Sequence, residues 1–276
     1  YDISDLIVAT TSVERRQVVS FQGSRCFPVD VREKADQLGL DLLHSHEWIV
    51  GAESLRLGDG LHSSFLTRMR MNFRTIQKVR YLDSFHLAKL KRERQSLTNE
   101  RLRFLVSPTQ MVLDEVMERY STINTRARII QNPINPLYLN FPIKKYPENE
   151  ILRVLFVGSG WRRKGLSLLF KALAVTKRPF LLTVVGTDKH LIRYHSLAHK
   201  LGIESKIRWA GVQGKLESYY STADLLVLPA IYEPAGNVVA EALAMGVKVL
   251  VSNYVGYKAL VTERSGEVVN LSIEDI

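Results

Sequence analysis

Short apolar runs alternate with helical periodicities through the second half of the chain. Residues 154–157 read as a buried strand closed by Gly158, Ser159 and Gly160, and 166–175 as an amphipathic helix. Residues 180–185 are a strand closed by Gly186, and 190–201 a helix with Gly202 as its C-cap. Residues 206–209 form a strand closed by Gly211, 216–223 a short helix, and 225–229 a strand. A helix over 238–245, closed by Gly246, and a strand over 247–251 complete the pattern. Apolar strands separated by helices predict a parallel sheet covered on both faces.

The first half is less regular. Helices are predicted over 31–38, 73–90 and 108–120, the last opened by Ser107 as N-cap with Pro108 at the first helical position. The segment 73–90 carries apolar residues at Phe73, Ile76, Val79, Leu82 and Phe85 and reads as a long basic helix. Strands are predicted over 40–44, 103–106 and 128–130. Residues 132–150 hold four prolines without periodicity and read as a linker. The prediction is an α/β protein of two Rossmann-like domains, 1–145 and 146–276, the first incomplete.

The length of 276 residues suits one large domain or two ordinary ones. Hydrophobic content of 46% and charged content of 24% exclude a disordered or collagen-like chain. The lone Cys26 excludes an intramolecular disulfide framework and leaves no cysteine cluster for zinc. No apolar stretch reaches the length of a membrane span, and no signal peptide is seen. A first residue of Tyr1 and a helix-like acidic segment that stops at Ile276 suggest a chain lacking both termini.

Charge changes the picture in one place. Residues 62–103 carry eleven Lys/Arg against Asp83, Glu93 and Glu100, a local charge of +8 out of +10. Such a stripe suits an anionic membrane surface, or is simply a solvated helix face. A basic nucleic-acid-binding protein is the weakest alternative, because no stacking aromatics or recognition helix accompany the charge.

In open α/β sheets ligands bind beyond the carboxyl ends of the strands. The segment from Gly158 to Gly165 lies at such an end, where glycines admit a phosphate and Arg163 and Lys164 add charge. It is neither a dinucleotide fingerprint, which needs glycine where Arg163 stands, nor a Walker loop, which needs Gly-Lys-Ser/Thr. The second segment holds Glu233 in a loop and Glu241 on the following helix, with Gly236 and Asn237 at the helix start. Helix-start N–H groups can hold a phosphate or sugar oxygen. Glu241 sits among Val238, Val239, Ala242 and Leu243, where ribose hydroxyls or a neighbouring lysine would satisfy it. His44, His46 and Glu47 follow a strand end; two histidines at i and i+2 with no third ligand read as a polar edge, and no metal site is expected. Asp59 sits between Gly58 and Gly60, as in a tight turn.

These residues resemble retaining glycosyltransferases of family 4, which have the GT-B architecture of two Rossmann-like domains. The resemblance rests on the Glu233-x7-Glu241 spacing, the downstream Gly246, and Gly158 with Arg163, Lys164 and Gly165 upstream. It is strongest to the lipopolysaccharide-core glucosyltransferase branch, which shares Gly-Ser-x-x-x-Arg-Lys-Gly, the run Val185, Gly186, Thr187, Asp188, Lys189, the Ala235–Gly236 step, and Gly256-Tyr257. It covers residues 150–270; the N-terminal half is similar only through Arg-x-Gly-Asp-Gly-x-His at Arg56 to His62.

The resemblance implies hexose transfer with retention, glucose from UDP-glucose, to a saccharide or glycolipid acceptor such as lipopolysaccharide core. It implies no metal or other cofactor, and a cytoplasmic enzyme peripheral at the inner face of the cytoplasmic membrane. Arg163 and Lys164, with the backbone at Gly236 and Asn237, would stabilise the diphosphate. Glu233 would bind donor-sugar hydroxyls, Glu241 the ribose diol, and the loop of Gly211 and Gln213 the base. Gly158, Ser159, Gly160, Gly186 and Ala235 would complete the donor site, while Asp59, His62, His44 and His46 would face the acceptor. A non-catalytic sugar-nucleotide or glycan-binding remnant is the alternative.

Overall fold

A computed structural model describes residues 28–37, 39–72, 84–120, 126–140 and 151–271. The N-terminal half runs α1 (Pro28–Gln37), β1 (His44–Ser45), β2 (Ser54–Arg56), α2 (His62–Asn72), α3 (Ser84–Leu97), β3 (Phe104–Ser107), α4 (Gln110–Arg119) and β4 (Arg126–Ile129). Its four strands form a parallel sheet in the order β1-β2-β3-β4. A 3₁₀ turn at Pro136–Asn140 follows, within the segment read as linker.

The second half runs β5 (Leu152–Val157), α5 (Trp161–Lys164), α6 (Leu166–Val175), β6 (Phe180–Val185), α7 (Leu191–Lys200), β7 (Ile207–Gly211), α8 (Glu217–Thr222), β8 (Leu225–Leu228), α9 (Asn237–Ala244), β9 (Lys248–Ser252) and β10 (Gly266–Val269). The sheet is parallel throughout, in the order β7-β6-β5-β8-β9-β10. The chain starts in the middle at β5, builds outward to β7, then returns to β8 and builds the other way. That is the doubly wound dinucleotide-fold order, with its reversal between β5 and β8.

The pleat explains the core. Val154 and Phe156 of β5 pack on one face with Leu166, Phe170 and Leu182. Leu155 and Val157 pack on the other with Leu226, Leu228 and Val239. Residues 154–157 of β5 are buried on both faces and must be apolar at every position, which is why they read as a continuous run.

Every element predicted in the second half is present, with ends within two residues; α6 and β6 coincide with their predicted spans. The first half differs more. The strand expected over 40–44 shrinks to β1. Helix α4 opens at Gln110, not Pro108, and its cap is Thr109, whose Oγ1 accepts from the Val112 N–H at 3.5 Å. Ser107 closes β3 instead, and its hydroxyl donates to the Thr109 carbonyl at 2.7 Å. Phe85, one of the apolar positions of the helix predicted over 73–90, is 58% exposed on α3. The rest of that predicted helix, residues 73–83, the proposed boundary at 145, and Cys26 lie outside the described residues.

Candidate active site

The carboxyl ends of β5 and β8 flank the reversal of strand order, and the segments that follow them are drawn together. Gly165 has φ of 81°, and a Cβ on it would lie 1.9 Å from the Pro229 carbonyl oxygen. Glycine alone permits that approach. The Ile231 N–H donates to the Arg163 carbonyl at 2.8 Å. The last two residues of α5 are thereby held against the loop after β8.

At this junction Arg163 Nη1 and Lys164 Nζ both donate to Glu233 Oε2, at 2.7 and 2.6 Å. Arg163 Nη1 also donates to the Tyr232 carbonyl at 2.9 Å. Lys164 is only 9% exposed. Burial pushes the Glu233 carboxyl up, but Lys164 and Arg163 outweigh it and hold the group below its ordinary value. Two cations on one anion leave a positive surplus. An ammonium has three donors and a guanidinium five, so the bonds to Glu233 do not exhaust them. The arrangement can receive an anion while keeping one carboxylate fixed beside it.

The glycine-rich turn is used differently from the expectation. A Cβ on Gly158 would lie 2.5 Å from Lys164 Cε, and one on Gly186 would lie 2.3 Å from the Gly158 carbonyl oxygen. These glycines admit the protein's own groups. The amino end of α5 is also taken: Asp188 Oδ2 accepts from the Trp161 N–H at 2.8 Å, and its Oδ1 from the His190 N–H at 2.8 Å. Ser159 Oγ accepts from the Thr187 N–H at 3.3 Å. Gly160 is open: a Cβ there would meet nothing within 4 Å. Gly211 ends β7 and its carbonyl accepts from the Gly186 N–H at 2.7 Å. Gln213 is exposed and donates to the Ala210 carbonyl at 2.6 Å.

Around α9, Gly236 has φ of 87° and caps the helix without a side-chain bond. Ala235 is buried, and its carbonyl accepts from the Tyr257 N–H at 2.8 Å. Asn237 Oδ1 accepts from Asn132 Nδ2 at 2.9 Å, and Asn132 Oδ1 accepts from Arg56 Nη2 at 2.7 Å. Among the described residues no lysine pairs with Glu241; the buried Tyr220 hydroxyl donates to its Oε2 at 2.6 Å. Burial and this carboxylate push the Tyr220 pKa up.

The acceptor-side candidates make their described contacts within the N-terminal half. Asp59 is exposed in a turn after β2. His62 opens α2, and its Nε2 lies 2.9 Å from His86 Nδ1 with the rings stacked. Burial, with Lys89 and His86 nearby, pushes its pKa down to about 4. His44 Nδ1 lies 2.8 Å from Ser54 Oγ, and its ring meets His46 edge-on at 5.1 Å. Burial lowers the pKa of both, with His46 and Arg56 adding to it at His44 and Arg56 at His46. The structure therefore brings Arg163, Lys164 and Glu233 into direct contact but joins none of these four to them through a described bond. Tyr220 and Asn132 also contact candidate residues and carry no local signal in the sequence, because their partners Glu241 and Asn237 lie 21 and 105 residues away. Asp188 stands in the run from Val185 to Lys189, but its bond to Trp161 spans 27 residues and is not legible there.

Residues 141–272 match the family model for glycosyl transferases group 1. The chain carries a glycosyl transferases group 1 domain. The group 1 domain contains the β5 turn, the Arg163–Glu233–Lys164 cluster and Glu241. An uncharacterized glycosyltransferase of Methanocaldococcus jannaschii is 24% identical over 261 residues, 84% of this chain and 63% of its own length. Lipopolysaccharide glucosyltransferase WaaG of Escherichia coli is 31% identical over 173 residues, 55% of this chain and 44% of its own. The chain thus spans less than two thirds of either relative. The crystal structure of WaaG superposes with a TM-score of 0.74 at 23% identity, covering 89% of this chain and 69% of that one. Anabaena HepE in complex with UDP-glucose gives 0.60 at 15% identity, covering 88% and 68%. The fold is that of GT-B glycosyltransferases, with the two sheets as its Rossmann-like domains.

Among the described residues no group of His, Cys, Asp and Glu is arranged to hold a metal ion. No described helix is long and apolar enough to cross a membrane.

Proposed function

We propose that this protein transfers a hexose, glucose from UDP-glucose, to a saccharide or glycolipid acceptor of the lipopolysaccharide-core type, with retention and without a metal. The observation that carries the reading is the pair of cations, Arg163 and Lys164, fixed on Glu233 at the reversal of strand order in a group 1 domain. As the bond from the anomeric carbon to the diphosphate breaks, its electron pair stays on the leaving oxygen. Arg163 and Lys164, already in place, meet that charge without reorganisation. The uncapped start of α9 at Gly236 and Asn237 adds N–H donors.

In this reading Glu233 accepts from donor-sugar hydroxyls and Glu241 from the ribose diol. Gly211 and Gln213 lie at the base, and the acceptor enters from the side of Asp59, His62, His44 and His46. The relatives support the substrate class: WaaG is a lipopolysaccharide glucosyltransferase, and HepE has been crystallised with UDP-glucose. On α3, Phe85 and Leu87 are exposed beside the exposed Lys89, Lys91, Arg92 and Arg94, which supports peripheral binding to an anionic membrane face. The test is UDP release from UDP-glucose with lipopolysaccharide-core saccharide. Lys164→Ala should lower the rate about 10²–10³-fold, as removal of an oxyanion donor does. An unchanged rate would remove Lys164 from the reaction.

A further inference from the structure

The loop that carries Glu233 belongs to the second sheet, yet the first half of the chain grips it on both sides of that residue. Tyr232 is 2% exposed. Its Oη accepts from the Leu61 N–H at 2.9 Å and donates to Glu115 Oε2 at 2.8 Å. The other oxygen of Glu115 accepts from Arg68 Nη2 at 2.5 Å. Gly60 makes the room, since a Cβ there would lie 2.2 Å from Tyr232 Oη. On the far side of Glu233, Thr109 Oγ1 donates to the Pro234 carbonyl at 2.8 Å. Gly256 is pressed onto the same carbonyl, where a Cβ would come within 1.9 Å of the oxygen.

Glu233 itself adds two backbone bonds within its own half: its N–H donates to the Tyr254 carbonyl at 2.9 Å, and its carbonyl accepts from the Gly256 N–H at 2.8 Å. The residue before it is therefore fixed by its side chain and the residue after it by its carbonyl. The Tyr232 carbonyl in turn receives Arg163. Any displacement of Tyr232 reaches both the carboxylate and one of its cations.

We infer that Tyr232, Glu115 and Thr109 are positioning residues through which the N-terminal half aims Glu233 and Arg163 at the donor sugar. The claim rests on the glycosyl-transfer reading for what Glu233 contacts. A phenol is needed because its oxygen must accept from Leu61 and donate to Glu115 at once. Phenylalanine does neither, and it leaves a buried N–H and a buried carboxylate oxygen short of a partner.

The test compares UDP with UDP-glucose by calorimetry on the full chain, alongside amide hydrogen exchange over residues 225–237. For Tyr232→Phe, UDP should bind within about two-fold of the parent. The extra affinity of UDP-glucose over UDP should fall about ten-fold or more, since an aiming error is felt at the sugar and not at the nucleotide. Exchange at 233–237 should rise while β8 stays protected. Thr109→Val should repeat the pattern, and Thr109→Ser, which keeps the hydroxyl, should restore it. A purely structural role would lower thermal stability and leave the UDP-glucose to UDP ratio alone, which would overturn the inference. If the parent binds neither ligand, the glycosyl-transfer reading fails, and exchange alone decides: faster exchange in Tyr232→Phe supports positioning, unchanged exchange rejects it.

Discussion

Gly158 has no side chain, and Lys164 runs through the space one would fill: a Cβ on Gly158 would lie 2.5 Å from Lys164 Cε and 3.1 Å from Nζ. The glycine after β5 is thus one reason why the ammonium reaches Glu233. Gly158 also has φ of 131°, where side chains are strained. Gly158→Ala is expected to cost about 1–3 kcal/mol of stability from backbone strain. By moving the ammonium off Glu233 it should also lower turnover about 10²-fold, the scale of a 1 Å misplacement. Denaturant unfolding and UDP-release rates on the same samples check both.

The other partner of that lysine sets an acid limit. The Glu233 carboxyl has a folded pKa below its ordinary value, because Lys164 and Arg163 outweigh burial. A depressed carboxyl stabilises the fold above the unfolded value, about pH 4.3, and that contribution is lost as pH falls through the folded value. Glu233→Gln should therefore lose less stability than the parent between pH 5 and acid. Urea unfolding across that range decides it; parallel curves would contradict the pairing.

Much of the fold was legible because strands buried on two faces read as unbroken apolar runs and the helices between them keep a helical period. Residues 166–175 and 180–185 were readable to the residue for that reason, each flanked by glycine or proline. Helix α5 escaped notice because four residues make barely one turn. Strand β10 escaped because it is largely exposed and carries Gly266 and Glu267. The Glu233–Glu241 spacing pointed to the site, and Arg163 and Lys164 were readable as charges beside a glycine turn. What they pair with was not. Asp188 closing the amino end of α5, Tyr220 on Glu241, and Tyr232 crossing to Glu115 join residues 21 to 117 apart, and only the fold brings them together.

His62 gives a second pH effect of the same sign. Its folded pKa of about 4, set first by burial and then by Lys89 and His86, lies below the ordinary value near 6.5. The unfolded chain therefore takes up the proton first, and stability falls as pH drops from about 6.5 to about 4. His62→Gln should flatten the stability profile over that window, and an NMR titration of the imidazole should show it neutral at pH 6. An ordinary midpoint near 6.5 would refute the burial argument.

Tyr220 tests the second carboxylate. Its hydroxyl donates to Glu241 Oε2 from a fully buried ring. Tyr220→Phe removes that bond and should destabilise the fold by about 1–2 kcal/mol. Because the hydroxyl also orients Glu241, nucleotide affinity should weaken in the same variant. Calorimetry with UDP, set beside the thermal midpoint, separates the two effects; a stability loss with unchanged UDP affinity would detach Glu241 from the ribose.

The most direct measurement is calorimetric titration of the protein with UDP-glucose, UDP-GlcNAc, GDP-mannose and UDP, repeated on Glu241→Ala. The account predicts saturable binding of UDP-glucose in preference to the other sugar nucleotides, without added metal, and its loss in Glu241→Ala. Failure of every nucleotide to bind, or binding that Glu241→Ala leaves intact, would contradict it.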